Sequence, residues 1–203
     1  MIAIIDYGLG NTGSVRAALA RLGHDSVITD KAEDISAATH LIMPGVGSFA
    51  DGMREIRERG LEPILRREVL ENKKPLLGIC LGMQLLGTRG EEGGGTEGLG
   101  FVPGPVRLLR ADQSAYRLPH VGWNDVVVAG DDPLFAGISS CVFYFVHSYV
   151  LEPEHAADIA ATCNYGGEFA AAVRRGNVYG VQFHPEKSQK SGLMLLKNFI
   201  DHA

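Results

Sequence analysis

The sequence predicts an α/β protein of three layers: a mostly parallel central sheet, helices on both faces, and an antiparallel extension in the C-terminal half. Two observations carry this. In the first half, short continuous apolar runs alternate with helix-period segments, which is how strands buried on both faces read when helices cover them. From about Gly100 onward the strand-like runs follow one another too closely for crossover helices, so they are expected to pair antiparallel.

The elements follow in order. Ile2 to Asp6 is the first apolar run, and a helical pattern passes through Val15-Arg16-Ala17-Ala18-Leu19. Ser26 to Thr29, Leu41-Ile42-Met43 and Pro75 to Ile79 are the next strands. In the second half come Val126-Val127-Val128, Cys141 to Val150 and Ile159 to Cys163. Phe169 to Val173 then turns through Arg174 to Asn177 into Val178 to Phe183, with Gly176-Asn177 as the hairpin turn. A helix through Leu193-Met194-Leu195-Leu196 and Phe199-Ile200 closes the fold, while the glycine-rich stretch Gly90 to Gly100 reads as a flexible loop. There is no repeat and no linker, and 203 residues suit one sizeable core, so residues 1–203 are expected to form a single domain.

Composition removes several classes of function. The net charge is −5, with both signs scattered and no basic block, so nothing marks a nucleic-acid surface. No apolar run approaches the roughly 20 residues needed to span a bilayer. The N-terminal Met1 to Asp6 lacks a charged n-region and a small-residue cleavage site, so a soluble cytoplasmic protein is expected. Cys80, Cys141 and Cys163 are too widely spaced for a disulfide framework and form no Cys-x-x-Cys pair for structural zinc.

Chemistry concentrates at Lys74-Pro75-Leu76-Leu77-Gly78-Ile79-Cys80-Leu81-Gly82-Met83-Gln84-Leu85-Leu86, a strand, a sharp turn and a helix. Cysteine stands where a Gly-x-Ser-x-Gly nucleophile elbow carries serine. A helix beginning just after Cys80 aims backbone N–H groups and the positive end of its dipole at the sulfur, the arrangement that stabilises a thiolate. It also places the Leu81 N–H to hold a developing oxyanion. A lone cysteine at a strand end is ordinarily a small buried hydrophobe; the flanking glycines favour a nucleophile here.

Attack on an unactivated amide needs a base that returns the proton to the leaving nitrogen, and a third group to fix the tautomer of that base. Tyr179-Gly180-Val181-Gln182-Phe183-His184-Pro185-Glu186 supplies both: if the chain is extended there, His184 and Glu186 project to the same side. By itself the motif equally describes a surface His-Pro-Glu turn; its place at a strand end in a chain with a cysteine elbow favours the base. His24, His40, His155 and His202 lack an orienting neighbour and read as surface residues, while His120 and His147 read as satisfied polar groups in unusual clusters. After Leu41-Ile42-Met43, the turn Pro44-Gly45-Val46-Gly47-Ser48 is a source of a second oxyanion donor, with the Val46 N–H the natural candidate. Nucleophile and base suffice for this chemistry, so no metal and no organic cofactor are called for.

These blocks together resemble the class I, or triad, glutamine amidotransferases. Within that family they are similar to the glutaminase subunits that serve imidazole glycerol phosphate synthases in histidine biosynthesis. The narrower resemblance rests on Asp6-Tyr7-Gly8-Leu9-Gly10-Asn11, Pro44 to Gly47, Gly78 to Gln84, Pro119 to Asn124, Tyr144 to Tyr149 and Gln182 to Ser188, blocks that run from end to end of the chain. It implies a catalytic Cys80, His184 and Glu186, and a glutamine amino-acid group held by Gly47, Gln84, Glu92, His147, Ser148 and Tyr149. It also implies a heterodimer with a barrel-fold cyclase subunit that consumes the ammonia, contacted near Asn11, Trp123 and Lys187. Thr12-Gly13 and the enlarged run Gly93-Gly94-Gly95 depart from the pattern, at the partner-facing loop and the loop over glutamine.

Three rivals stand beside this reading. Gly8-Leu9-Gly10-Asn11-Thr12-Gly13 after a strand, with Asp30 further on, is the formal dinucleotide fingerprint built on Gly8, Gly10 and Gly13. Against it, Asp6 would crowd a pyrophosphate with like charge. A paralogous glutaminase feeding a surface-sugar synthase would share every site residue, and a cysteine peptidase would share the nucleophile.

Overall fold

A computed structural model describes residues 1–111 and 114–203. In chain order its principal elements are β1 (Ile2–Ile5), α1 (Thr12–Arg21), β2 (Ser26–Thr29), α2 (Ala32–Ala37), β3 (His40–Gly45), α3 (Phe49–Glu58), α4 (Leu61–Arg66), β4 (Leu76–Cys80), α5 (Leu81–Leu85), β5 (Arg89–Gly90), β6 (Thr96–Glu97) and β7 (Pro105–Leu108). They continue with β8 (His120–Val128), β9 (Val142–His147), β10 (Tyr149–Leu151), β11 (Ile159–Asn164), β12 (Glu168–Arg175), β13 (Val178–Val181) and α6 (Gln189–His202). A nine-stranded sheet runs β2-β1-β3-β4-β13-β12-β11-β8-β9, and a four-stranded sheet runs β10-β7-β5-β6. From β2 to β13 the large sheet is parallel; from β13 to β9 every pairing is antiparallel.

The inner parallel strands β1 and β4 are apolar throughout because both faces are covered, while the edge strand β2 carries Ser26 and Thr29. Side chains alternate, so Ile2 and Ile4 join one core with Val15 and Leu19 of α1 and Leu195, Leu196 and Phe199 of α6. Ala3 and Ile5 join the other, with Phe49, Met53 and Ile56 of α3 and Leu61 and Leu65 of α4. This is the three-layer arrangement the periodicity predicts. The β12–β13 hairpin turns at Gly176-Asn177, with Gly176 at φ 58 and Arg175 opposite Val178.

Four local expectations are corrected. The run Cys141 to Val150 is two strands, β9 and β10, in different sheets; the chain breaks at Ser148, whose carbonyl accepts the Leu109 N–H at 2.8 Å. The strand expected at Val126 begins instead at His120, because β8 alternates buried and exposed residues and lacks the continuous apolar run that marks a covered strand. The stretch Gly90 to Gly100 is built rather than loose: β5 and β6 pair across a 3-10 turn at Glu92–Gly94, and Gly93, Gly94 and Gly95 each take a positive φ that makes the turn possible. His40 is half-buried, its ring edge-on to Phe199 at 5.5 Å, rather than a surface group.

Candidate active site

Cys80 is the hinge between β4 and α5, at φ 55 and ψ −110. A non-glycine residue held there costs on the order of 1–3 kcal/mol, which the surrounding packing must supply. The neighbouring glycines show how. A Cβ on Gly78 would lie 2.6 Å from the Gly82 carbonyl oxygen, and a Cβ on Gly82 would lie 1.8 Å from the Met43 oxygen. Only glycine at both positions lets the turn close on itself and lets α5 sit against β3. Leu81, the first residue of α5, has no carbonyl one turn back within the helix for its N–H, and it lines the same cavity as Cys80.

His184 follows β13 and pairs through its Nδ1 with Glu186 Oε1 at 2.9 Å, both side chains being almost wholly buried (2% and 1% exposed). The pairing does not arise from an extended strand. Pro185 opens a 3-10 turn, Pro185–Lys187, and the turn curls Glu186 back onto the imidazole. The ring is fixed from the backbone side as well: the His184 N–H donates to the Tyr144 carbonyl at 2.8 Å, and the Ser188 hydroxyl donates to the His184 carbonyl at 2.6 Å. Burial lowers the His184 pKa, but interactions with Cys80 and Glu186 raise it further, to about 9. The Cys80 thiol itself is oriented toward the Val146 carbonyl at 3.7 Å and accepts from Gln182 Nε2 at 3.7 Å, so His184 Nε2 has no hydrogen bond within the described residues in this state.

In front of the sulfur lies a cavity of about 270 Å³ lined by Val46, Gly47, Cys80, Leu81, Gln84, Glu92, Val146, His147, Ser148 and Tyr149. The structure thus gathers Gly47, Gln84, Glu92, His147, Ser148 and Tyr149 around Cys80. Their free functional groups differ. Gln84 commits its amide N–H groups to the Tyr149 carbonyl (2.9 Å) and Gln182 Oε1 (3.1 Å), leaving its own carbonyl as the acceptor. The His147 ring is spent: Nδ1 meets the Tyr149 carbonyl at 3.1 Å and Nε2 meets His120 Nδ1 at 3.0 Å, so His147 offers a ligand its backbone and not its imidazole. Burial holds both histidines below the ordinary range, His120 at about 4 and His147 at about 3, so both are neutral at neutral pH. One oxygen of Glu92, Oε2, accepts the Phe49 N–H at 2.9 Å at the start of α3.

Val46 also lines the cavity, and in this state its N–H donates to the Leu9 carbonyl at 3.0 Å. The peptide is held by the loop between β1 and α1, where Asn11 stands.

Of the residues expected to face a partner, Trp123 and Lys187 come together on Tyr144. Trp123 is 48% exposed and meets Tyr144 edge-on at 5.9 Å, and the Lys187 ammonium lies 5.8 Å from the same ring. Asn11 is half-buried just before α1. The dinucleotide fingerprint does not make a phosphate cradle. The Gly8 N–H is taken by Asp6 Oδ1 at 3.1 Å, Arg59 covers Gly8, and Asp30 is paired with Arg59 at 3.4 Å. Sequence reasoning missed three residues: Tyr7, Gln182 and Ser188. The signal available for Gln182 was a polar side chain, fully buried here, ending an apolar strand. Among the described residues no cluster of metal-ligating side chains forms, and no helix is long and apolar enough to cross a membrane.

Comparison with known proteins gives concordant matches. The model of the glutamine amidotransferase class-I family matches residues 3–203. The chain is 50% identical to the imidazole glycerol phosphate synthase subunit HisH of Moorella thermoacetica, covering 100% of this chain and 96% of that protein. It is 48% identical to subunit HisH 2 of the same synthase from Methanococcus maripaludis, with both chains covered completely. A crystal structure of a glutamine amidotransferase superposes with a TM-score of 0.77 at 23% identity, covering 98% of this chain and 97% of that one, a likeness of fold.

Proposed function

The chain belongs to the class-I glutamine amidotransferases, and on that premise we propose that it is the glutaminase subunit of imidazole glycerol phosphate synthase. The observation that carries the reading is the Cys80 elbow opening on the cavity with the buried His184–Glu186 pair behind it, its imidazole interacting with Cys80. Residues 1–203 act as one amidotransferase domain in a heterodimer with a cyclase subunit, as a soluble cytoplasmic enzyme.

Glutamine enters the cavity with its side-chain amide at Cys80. The Gln84 carbonyl and the unshared oxygen of Glu92 accept from its α-ammonium group, while Gly47 and the backbone of His147, Ser148 and Tyr149 frame its carboxylate. The Cys80 sulfur, its proton held on His184, bonds to the amide carbon. The resulting oxyanion is held by the Leu81 N–H and by the Val46 N–H once that peptide has left Leu9. His184 protonates the departing nitrogen, the C–N bond breaks, and ammonia leaves a γ-glutamyl thioester. Water, deprotonated by the same imidazole, then releases glutamate and restores the thiol. Glu186 keeps Nδ1 bonded, so the proton traffic runs through Nε2. Ammonia passes to the cyclase, docked on the face carrying Asn11, Trp123 and Lys187, which joins it to a phosphoribulosyl intermediate. The products are imidazole glycerol phosphate and aminoimidazole carboxamide ribotide.

The test is co-purification with the cyclase followed by an assay of both nitrogen sources. Cys80→Ala in the complex is expected to abolish glutamine-dependent product while synthesis from added ammonia continues. Loss of both activities would assign Cys80 a structural role instead.

A further inference from the structure

Tyr7 is a buried phenol to which the mechanism above gives no task. It is 1% exposed, and its hydroxyl has no hydrogen-bond partner among the described residues. A buried polar group left unpaired is costly, and proteins that keep one usually use it in another state. Its position is specific. A Cβ built on Gly45 would fall 2.0 Å from the Tyr7 oxygen, so the hydroxyl fills the place where a side chain of residue 45 would be. Gly45 lies opposite Cys80 in the β3–β4 register, and the peptide that follows it carries the Val46 N–H now donated to Leu9. Burial, and then the nearby Cys80, push the phenol far above its ordinary range, so it remains a protonated donor at every working pH.

We propose that Tyr7 is a positioning residue for the oxyanion donor: its hydroxyl donates to the Gly45 carbonyl when the Gly45–Val46 peptide turns its N–H from Leu9 toward Cys80. The carbonyl and N–H of one peptide plane swing together in opposite senses, so turning the N–H inward must offer the Gly45 oxygen a new partner. Tyr7 is the buried side-chain donor nearest that residue, with the Gly82 N–H behind it. The hydroxyl is unpaired in the resting arrangement and paired in the working one, which tilts the equilibrium toward the working one by the value of one hydrogen bond. The proposal rests on the glutaminase reading and supplies what that reading lacks, a group that holds the turned peptide.

Tyr7→Phe removes one oxygen and tests this in the complex with the cyclase and its phosphoribulosyl substrate. Expected are a kcat for glutamine hydrolysis lowered roughly three- to tenfold, an unchanged KM for glutamine, and a melting midpoint of the free chain that is unchanged or raised. The last two separate positioning from packing: a hydroxyl already paired at rest would lower the midpoint when removed. An unchanged kcat, a loss confined to KM, or a lowered midpoint each overturns the proposal. A wild-type complex that hydrolyses no glutamine would overturn the glutaminase reading instead, whatever the variant does.

Discussion

Glu186 and His184 form an almost dry pair, and what the carboxylate does there is set by charge. An imidazole buried alone would lose its proton easily, yet His184 is raised to about 9 because Cys80 and Glu186 outweigh burial. The sign matters for turnover. His184 must carry a proton when the amide nitrogen leaves, so the alkaline fall of kcat/KM tracks the pH at which the imidazolium is lost. Glu186→Gln keeps the shape and removes the charge that holds that proton, so the alkaline limb is expected to move to lower pH. The rate at the optimum should fall on the order of a hundredfold or more, as the tautomer is no longer enforced. Glutamine hydrolysis followed from neutral to strongly alkaline pH reads both effects, and a limb that stays in place would mean that Glu186 does not set the charge on His184.

The elbow is the element on which the site depends, and it was largely legible in the sequence: an apolar strand, cysteine between spaced glycines, then a helix. What could not be read was why Gly82 is glycine, since the atom that excludes a side chain is the Met43 oxygen of a different strand, 1.8 Å from where Cβ would lie. Gly82→Ala must therefore push α5 off β3, an overpacking expected to cost about 1–3 kcal/mol and to tilt Cys80 out of line. For a chain of this size that is a fall in melting midpoint of roughly 2–12 °C, with glutaminase activity lost more completely than stability. A variant melting like wild type would show that the elbow has slack. The same limit explains the misread elements. Cys141 to Val150 reads as one strand-like run, and the pairing of Leu109 with Ser148 marks where the chain changes sheets. His147 sat in a polar cluster whose meaning depended on His120, brought opposite it by the β8–β9 register. Long-range pairing decides such cases, and a sequence carries it only indirectly.

At the scale of the whole molecule, the N-terminal loop joins the outer surface to the inner site. Leu9 holds the Val46 N–H, and two residues further on Asn11 stands on the face proposed to meet the cyclase. A partner that moves this loop changes what Leu9 can hold, and thereby whether Val46 can serve the oxyanion. One missing oxyanion donor costs about 2.7–4 kcal/mol of transition-state stabilisation, a factor on the order of a hundred to a thousand in kcat. The free chain, with Val46 tied to Leu9, is therefore expected to hydrolyse glutamine slowly. Addition of the cyclase with its phosphoribulosyl substrate should raise steady-state kcat by roughly a hundredfold, the increment that one recovered donor supplies. Because the change lies in the transition state, KM for glutamine should move far less than kcat. The measurement is the rate of glutamate release by the free chain, by the complex, and by the complex with cyclase substrate. Comparable rates in all three would mean that the Val46–Leu9 bond opens on its own during turnover, and that the loop couples nothing to the partner.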